Sequence, residues 1–255
     1  MRVQSVERAI AILREFSVEQ PTLGVTELSE RLGLHKSTVH RLLASLVVGG
    51  FMRRTPKRKY RLGTRLIELG YNVINTQGLL QVAHPYLHYL AERVGELAYL
   101  GVRDGDSRLN VMQSEPPELK ESVGWVARAP LGCTSSGKIL LAHMSEDEVA
   151  AYLEKGLPRM TAKSITDPTD LRRELQRVRE EGFGTSFEEF REGTNAISVP
   201  IAKDSMVVAA LAVVGYSYSL TQEKAMRSLE IMRGVAVDMS RKLGTLPSEE
   251  LDLFK

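Results

Sequence analysis

Three groups of residues in this 255-residue chain have the types and spacing to do chemistry. The first is cationic and hydroxylic. Lys36, Ser37, Thr38, His40 and Arg41 stand close together, and Arg53, Arg54, Lys57, Arg58, Lys59 and Arg61 come shortly behind. Hydroxyls bond phosphates or base edges, and an arginine can grip guanine through two hydrogen bonds. The second group is Gly132-Cys133-Thr134-Ser135-Ser136-Gly137-Lys138, which matches the first seven positions of a phosphate-binding loop. That motif continues with Ser or Thr to hold magnesium, whereas this chain has Ile139, and Pro130 stands where a buried strand should be strongest. A small-residue loop opening the helix from Lys138 to His143 is the better reading. It is either a receptor for a carboxylate at a helix start or a loop kept small for packing. The third group is Cys133 with His143. Nothing orients them into a nucleophile and base, so a buried, inert thiol is expected. Of five histidines only His84 and His88 form a pair at helical spacing, and neither a metal nor a cofactor is expected.

The charge distribution favours the first group. The net charge is only +2, yet no acidic residue falls between Glu30 and Glu68 while ten lysines and arginines do, which leaves a net of −8 for the rest. A basic module beside an acidic body suits a nucleic-acid partner, because neutralising phosphates releases condensed counterions. A hydrophobic content of 43% permits a sizeable core, no apolar run approaches the ~20 residues of a membrane span, and the first residues lack the apolar stretch of a secretory signal. One cysteine excludes an internal disulfide. A cytoplasmic protein is expected.

The elements that must position these residues follow from periodicity. Ser5 is a candidate cap for a first helix carrying Val6, Ala9, Ile10, Leu13 and Phe16. A second helix fits Val25 to Leu32, exposing Thr26, with Gly33 past its end. A third fits Lys36 to Val48 and is stopped by Gly49-Gly50. Two short helices about a glycine form a helix-turn-helix, the second presenting its first turns to the major groove. Phe51-Met52-Arg53 and Tyr60-Arg61-Leu62 then read as strands around a basic tip, a wing beside the groove. Arg65 to Ile74 gives a linker helix broken at Gln77-Gly78, and Leu80 to Val94 another, interrupted near His84-Pro85. Strands are expected at Leu97 to Arg103, Leu109 to Gln113, Ala196 to Ile201 and Met206 to Val214. Ser145 with Glu148 forms a capping box, Asp167-Pro168 opens a helix, and a last helix follows Thr221 with its apolar stripe against the domain's own sheet. Strands and helices in this uneven order imply an α+β domain with an antiparallel sheet.

Ser5-Val6-Glu7-Arg8-Ala9, Leu32-Gly33-Leu34, Lys36-Ser37-Thr38-Val39-His40-Arg41-Leu42-Leu43 and Tyr60-Arg61-Leu62-Gly63 closely resemble the IclR family of bacterial transcription regulators. Later matches are Pro130-Leu131, Gly137-Lys138, Thr166-Asp167-Pro168, Glu188-Glu189, Gly193 and Pro200-Ile201. The resemblance implies a dimerising winged domain over residues 1–63, a linker helix over 64–77 and a GAF-like effector domain over 78–255, with antiparallel sheet flanked by helices. One departure is His35, where the family often has proline; it is expected to trade rigidity for a phosphate contact. The implied effector pocket falls on Ser135, Ser136, Ser186, Ala196, Ala212 and Val214, with Cys133 and Ser198 beside them and Met112 and Trp125 as further apolar walls. Ala196, Ala212 and Val214 stand where several members have cysteine or serine, which implies a strand side less polar than theirs. The expected partners are operator DNA with an inverted repeat, a small organic acid or aromatic catabolite, and further copies of the chain as a dimer or tetramer. Repression is favoured over activation. The alternatives are an unregulated DNA-organising protein and an enzyme using Cys133 or the Gly137-Lys138 loop.

Overall fold

The structure is a computed structural model describing residues 3–76, 78–124 and 126–245. It divides into two compact units, Met1–Thr76 and Gln77–Lys255.

The first unit opens with α1 (Gln4–Arg14), α2 (Val25–Leu32) and α3 (Lys36–Val48), followed by strands β1 (Met52–Arg54) and β2 (Tyr60–Leu62) and by α4 (Arg65–Thr76). Ser5 is inside α1 rather than capping it; Val3 holds the cap position and makes no side-chain bond there. The apolar positions of α1 divide between two faces. Ile12 and Phe16 enter a core with Leu28, Val39, Leu43 and Met52, whereas Val6 and Ile10 remain exposed. Gly24 offers α2 no side-chain cap, and Glu27 supplies the missing interaction by accepting from the Gly24 N–H at 2.6 Å. Gly33 ends α2 with φ of 62°, a left-handed turn that costs glycine nothing. The β1–β2 hairpin pairs Met52 with Leu62, and backbone bonds between Leu23 and Tyr60 add a third strand-like segment.

The second unit is built on one six-stranded antiparallel sheet. Its strands are β3 (Leu97–Asp104), β4 (Ser107–Ser114), β5 (Arg128–Pro130), β6 (Gly184–Phe187), β7 (Thr194–Lys203) and β8 (Met206–Tyr216), in the order β5-β4-β3-β8-β7-β6. Pro130 sits on the edge strand β5, the place in a sheet where a missing N–H is tolerated. One face of the sheet packs against α5 (Gly78–Val94) and α10 (Leu229–Gly244) through Leu87, Leu100, Ile197, Leu211, Met232 and Met239. The expected break near His84-Pro85 is absent: α5 starts at Gly78 and runs through Pro85, its packing outweighing one lost backbone bond. The last stretch splits at Ser228 into α9 (Gln222–Arg227) and α10, and the stripe of α10 packs on the sheet as expected.

The other face carries α6 (Ser135–Ala142), with α7 (Glu146–Glu154) and α8 (Pro168–Glu181) behind it. The capping box at Ser145 and the Asp167 cap form as expected. Helix α6 begins three residues earlier than Lys138, because the Thr134 hydroxyl accepts from the Gly137 N–H and so caps it. Every residue of α6 is buried. Gly137 is therefore a packing necessity. A Cβ there would overlap the Leu131 carbonyl oxygen and the Thr134 hydroxyl, and lie 2.6 Å from the Leu131 Cα. Gly137→Ala is expected to destabilise the second unit by about 1–3 kcal/mol. Gly234→Ala, at an open site in α10, should instead stabilise it by about 0.5–1 kcal/mol. Thermal or urea unfolding of the two variants checks the contrast, and equal behaviour would show that the close approach at Gly137 does not constrain the fold.

Candidate nucleic-acid interface and effector cavity

In the first unit the period of α3 decides what is displayed. Val39 and Leu43 are buried, which turns Lys36, Ser37, His40 and Arg41 outward and leaves Thr38 half-buried. Thr26 is exposed on α2. His35 is exposed, and its ring has a structural role. It caps α3, its Nδ1 accepting from the Ser37 N–H at 3.3 Å and lying 2.7 Å from the Ser37 hydroxyl. Its φ of −63° is the value proline would impose. The backbone therefore keeps the geometry the family's proline sets, and the imidazole adds a cap.

The wing separates its cations into two kinds. Arg53 donates to the Thr64 hydroxyl at 3.1 Å, and Lys59 is drawn to Glu27 at 3.1 Å. Lys36, Arg41, Arg54, Lys57, Arg58 and Arg61 face solvent without a carboxylate partner among the described residues. Six unpaired cations on one recognition helix and its hairpin form a surface suited to a polyanion.

In the second unit a small cavity of about 50 Å³ lies on the α6 face of the sheet and opens to solvent. Strand alternation aims Leu97 and Tyr99 of β3 and Arg108 and Asn110 of β4 into it, and a β-bulge at Val111 brings Gln113 to the same face. Thr134 and Ser135 supply the α6 side, and Ser186, Ala196 and Val214 the far strands. Of the expected pocket residues, Ser135, Ser186, Ala196 and Val214 thus line the space.

The other described ones do not, each for a physical reason. Ser136 is fully buried, its Oγ bonded to the Tyr99 hydroxyl at 2.8 Å. Ser198 lies beneath Ser135, with the two Oγ atoms 2.6 Å apart. Ala212 is buried between Leu97 and Tyr99. Cys133 is turned away, and its carbonyl accepts from the Ser186 hydroxyl at 2.9 Å. Met112 pairs with Leu100 and packs on the opposite face with α5 and α10, because the β-bulge at Val111 inserts one residue and reverses the direction alternation would give it. Trp125 lies outside the described residues.

Among the lining residues that no site expectation included are Leu97, Tyr99, Asn110, Thr194 and, above all, Arg108. It and Asn110 alternate with Leu109 and Val111, a pattern that ordinarily marks a solvent face. Here that face is covered. Arg108 is 4% exposed and Asn110 5%. The only hint in the sequence is a strand whose polar face carries an arginine and an asparagine rather than lysines and glutamates.

The alternative chemistries find no geometry. The Lys138 ammonium is 1% exposed and bonded to Glu189 at 2.7 Å, Glu174 at 3.3 Å and the Thr185 carbonyl at 3.0 Å, leaving nothing for a phosphate. Burial pushes the Cys133 thiol up to about 11, so it stays protonated at neutral pH. His143 Nδ1 lies 2.8 Å from the Ile139 carbonyl of its own helix. His88 pairs with Glu92 rather than His84. Among the described residues, no three or more His, Cys, Asp or Glu side chains gather as a metal site, and no helix is long and apolar enough to cross a membrane.

A winged helix-turn-helix with unpaired cations, in a chain whose α+β unit holds a covered cavity, defines a DNA-binding regulator. Comparison with known proteins gives the family. The sequence model described as "IclR helix-turn-helix domain" matches residues 5–56, and "Bacterial transcriptional regulator IclR C-terminal" matches residues 71–241. The chain belongs to the IclR family of transcription regulators. It is 31% identical to the HTH-type transcriptional regulator XynR of Escherichia coli, covering 95% of this chain and 98% of that one. It is also 31% identical to the HTH-type transcriptional repressor AllR of Salmonella typhi, over 96% and 91%. The crystal structure of an IclR homolog complexed with 4-hydroxybenzoate from Microbacterium hydrocarbonoxydans superposes with a TM-score of 0.82 at 29% identity, over 94% and 99%.

Arg41 and Lys57 should separate base reading from phosphate contact. Arg41→Ala is expected to cost about 1–3 kcal/mol on the cognate site and little on scrambled duplex, whereas Lys57→Ala should weaken both alike and lower the salt slope by about one. Salt-titrated binding to the two duplexes decides it, and equal losses for Arg41→Ala would make it a phosphate contact.

Proposed function

We propose that the chain binds an inverted-repeat operator in double-stranded DNA as a homodimer able to pair into a homotetramer. It represses transcription there until a small organic effector fills the cavity of the second unit. In this reading residues 1–63 read DNA, residues 64–77 form the linker helix and residues 78–255 sense the effector, an organic acid or aromatic catabolite. The protein works in the cytoplasm and turns nothing over. The observation that carries the reading is the covered cavity beside α6, in a chain whose recognition helix and wing keep six unpaired cations.

Dimerisation is supported by the apolar side chains that the first unit leaves uncovered. Val6 and Ile10 of α1 are 53% and 44% exposed, and Ile67 of α4 is 71% exposed, a pattern that marks interaction surfaces. Two-fold symmetry of the protein is then mirrored in the operator. Repression draws on the likeness to AllR, named a repressor. The effector class draws on the 4-hydroxybenzoate bound by a structural relative and on the apolar wall of Ala196 and Val214. Catalysis through Cys133 or the Gly137-Lys138 loop has no support, since the thiol is held protonated and the ammonium is spent on two glutamates.

Operator titration with a set of aromatic monocarboxylates tests this. The wild-type protein should protect an inverted repeat in footprinting and release it when an effector acid is added. Val214→Phe, which fills the cavity, should keep DNA affinity and weaken the effector by about tenfold or more, roughly 1.4 kcal/mol. A single half-site bound by a monomer, or an unchanged response in folded Val214→Phe, contradicts the proposal.

A further inference from the structure

Resting on that cavity as the effector site, we propose that Arg108 is its specificity-determining residue, the receptor for a carboxylate. Asn110, its neighbour on β4, takes a second, hydrogen-bonding group. The ligand class is a cyclic, most simply aromatic, monocarboxylate carrying a hydroxyl.

Arg108 is buried, and no carboxylate stands within ion-pair distance of it among the described residues. Its Nη1 donates to the Val126 carbonyl at 2.9 Å, and its guanidinium lies 5.0 Å over the Tyr99 ring. These contacts orient the group without neutralising it. Its Nε–H is buried and makes no hydrogen bond. A buried cation lacking a counter-charge is costly unless an anion arrives to pair with it, and the cavity is where an anion can arrive. A guanidinium presents forked donors to a carboxylate, which makes the planar acid group the best-matched occupant.

The surroundings are arranged for this side chain. Gly101 pairs with Asn110 and lies diagonal to Arg108, and a Cβ at Gly101 would stand 3.0 Å from the Arg108 Cδ and 3.4 Å from the Ser136 Cβ. The missing side chain leaves the lane along which the arginine stem reaches the cavity. The first turn of α6 is less able to hold the acid, because the Ser135 and Ser136 hydroxyls already pair with Ser198 and Tyr99. The second polar group follows from another unmet demand. Asn110 Oδ1 is buried without a partner, and an amide oxygen asks for a donor. Beside these two residues the lining is apolar, formed by Leu97, Ala196 and Val214, against which a ring would pack.

The test is calorimetric titration of the full chain with benzoate, 4-hydroxybenzoate and phenylacetate, each against its primary amide. The amides keep shape and lose charge. Wild type should prefer each acid by about tenfold to a hundredfold, the range a charge-assisted bond supplies. Arg108→Met should remove that preference and raise the melting temperature of the ligand-free protein, since it deletes an uncompensated buried charge. Arg108→Lys should retain part of the preference. A purely structural arginine would instead lower the melting temperature in both variants. Wild type without acid preference, or Arg108→Met with an undiminished one, overturns the proposal. If acids bind, Val214→Phe blocks them and Arg108→Met is indifferent, the cavity is the effector site and Arg108 is not its receptor. If neither acids nor amides bind wild type, the cavity reading itself falls.

Discussion

The second unit depends on how the first turn of α6 is fastened to the sheet. A helix with every residue buried cannot leave polar side chains unpaired, since each would carry the cost of desolvation with nothing to offset it. The chain resolves this by spending its hydroxyls on the sheet. Thr134 caps the helix, Ser135 meets Ser198, Ser136 meets the Tyr99 hydroxyl, and Lys138 reaches Glu174 and Glu189 on the far side. Glu189 is held above the usual carboxylate range by burial, against the pull of Lys138. Helix and sheet are thereby locked at one separation, and the space left over is the cavity beside Tyr99 and Arg108.

That fastening settles which groups remain available to a ligand. Hydroxyls that look free in the sequence are structural, while a strand arginine that looks solvent-facing is buried and unneutralised. The two facts are linked, because Tyr99 bonds Ser136 with its hydroxyl and carries the Arg108 guanidinium over its ring. A folded state holding such a charge gives up stability that a ligand can restore, as expected where function and stability compete.

Much of this was legible in the sequence. Helices α2 and α3, the wing, the Ser145 and Asp167 caps and the β7–β8 hairpin follow from short-range signals with a fixed chemical cause, and short-range signals survive folding. The acid-free basic stretch likewise identified the nucleic-acid surface without any three-dimensional information. Failures came where tertiary packing outweighs local preference: Pro85 inside a packed helix, Ser5 inside rather than before α1, and α6 starting at Ser135. The cavity was only half legible. Family resemblance located Ser135, Ser186, Ala196 and Val214, but a β-bulge at Val111 sent Met112 to the opposite face. Nothing short of the sheet order could show that the polar side of β4 lies under cover.

Hydrogen–deuterium exchange of the full chain with and without a saturating aromatic acid measures most directly whether the α6 face of the sheet is where the effector is sensed. Amides in β4, β6 and the start of β7, which flank the cavity, should exchange more slowly with ligand present, because binding stabilises the native state at the site of contact. The α5 and α10 face should change least within the second unit. Protection concentrated on α5 and α10, with β4 and β7 unaltered, would place the ligand on the opposite side of the sheet and contradict the cavity as the sensing site.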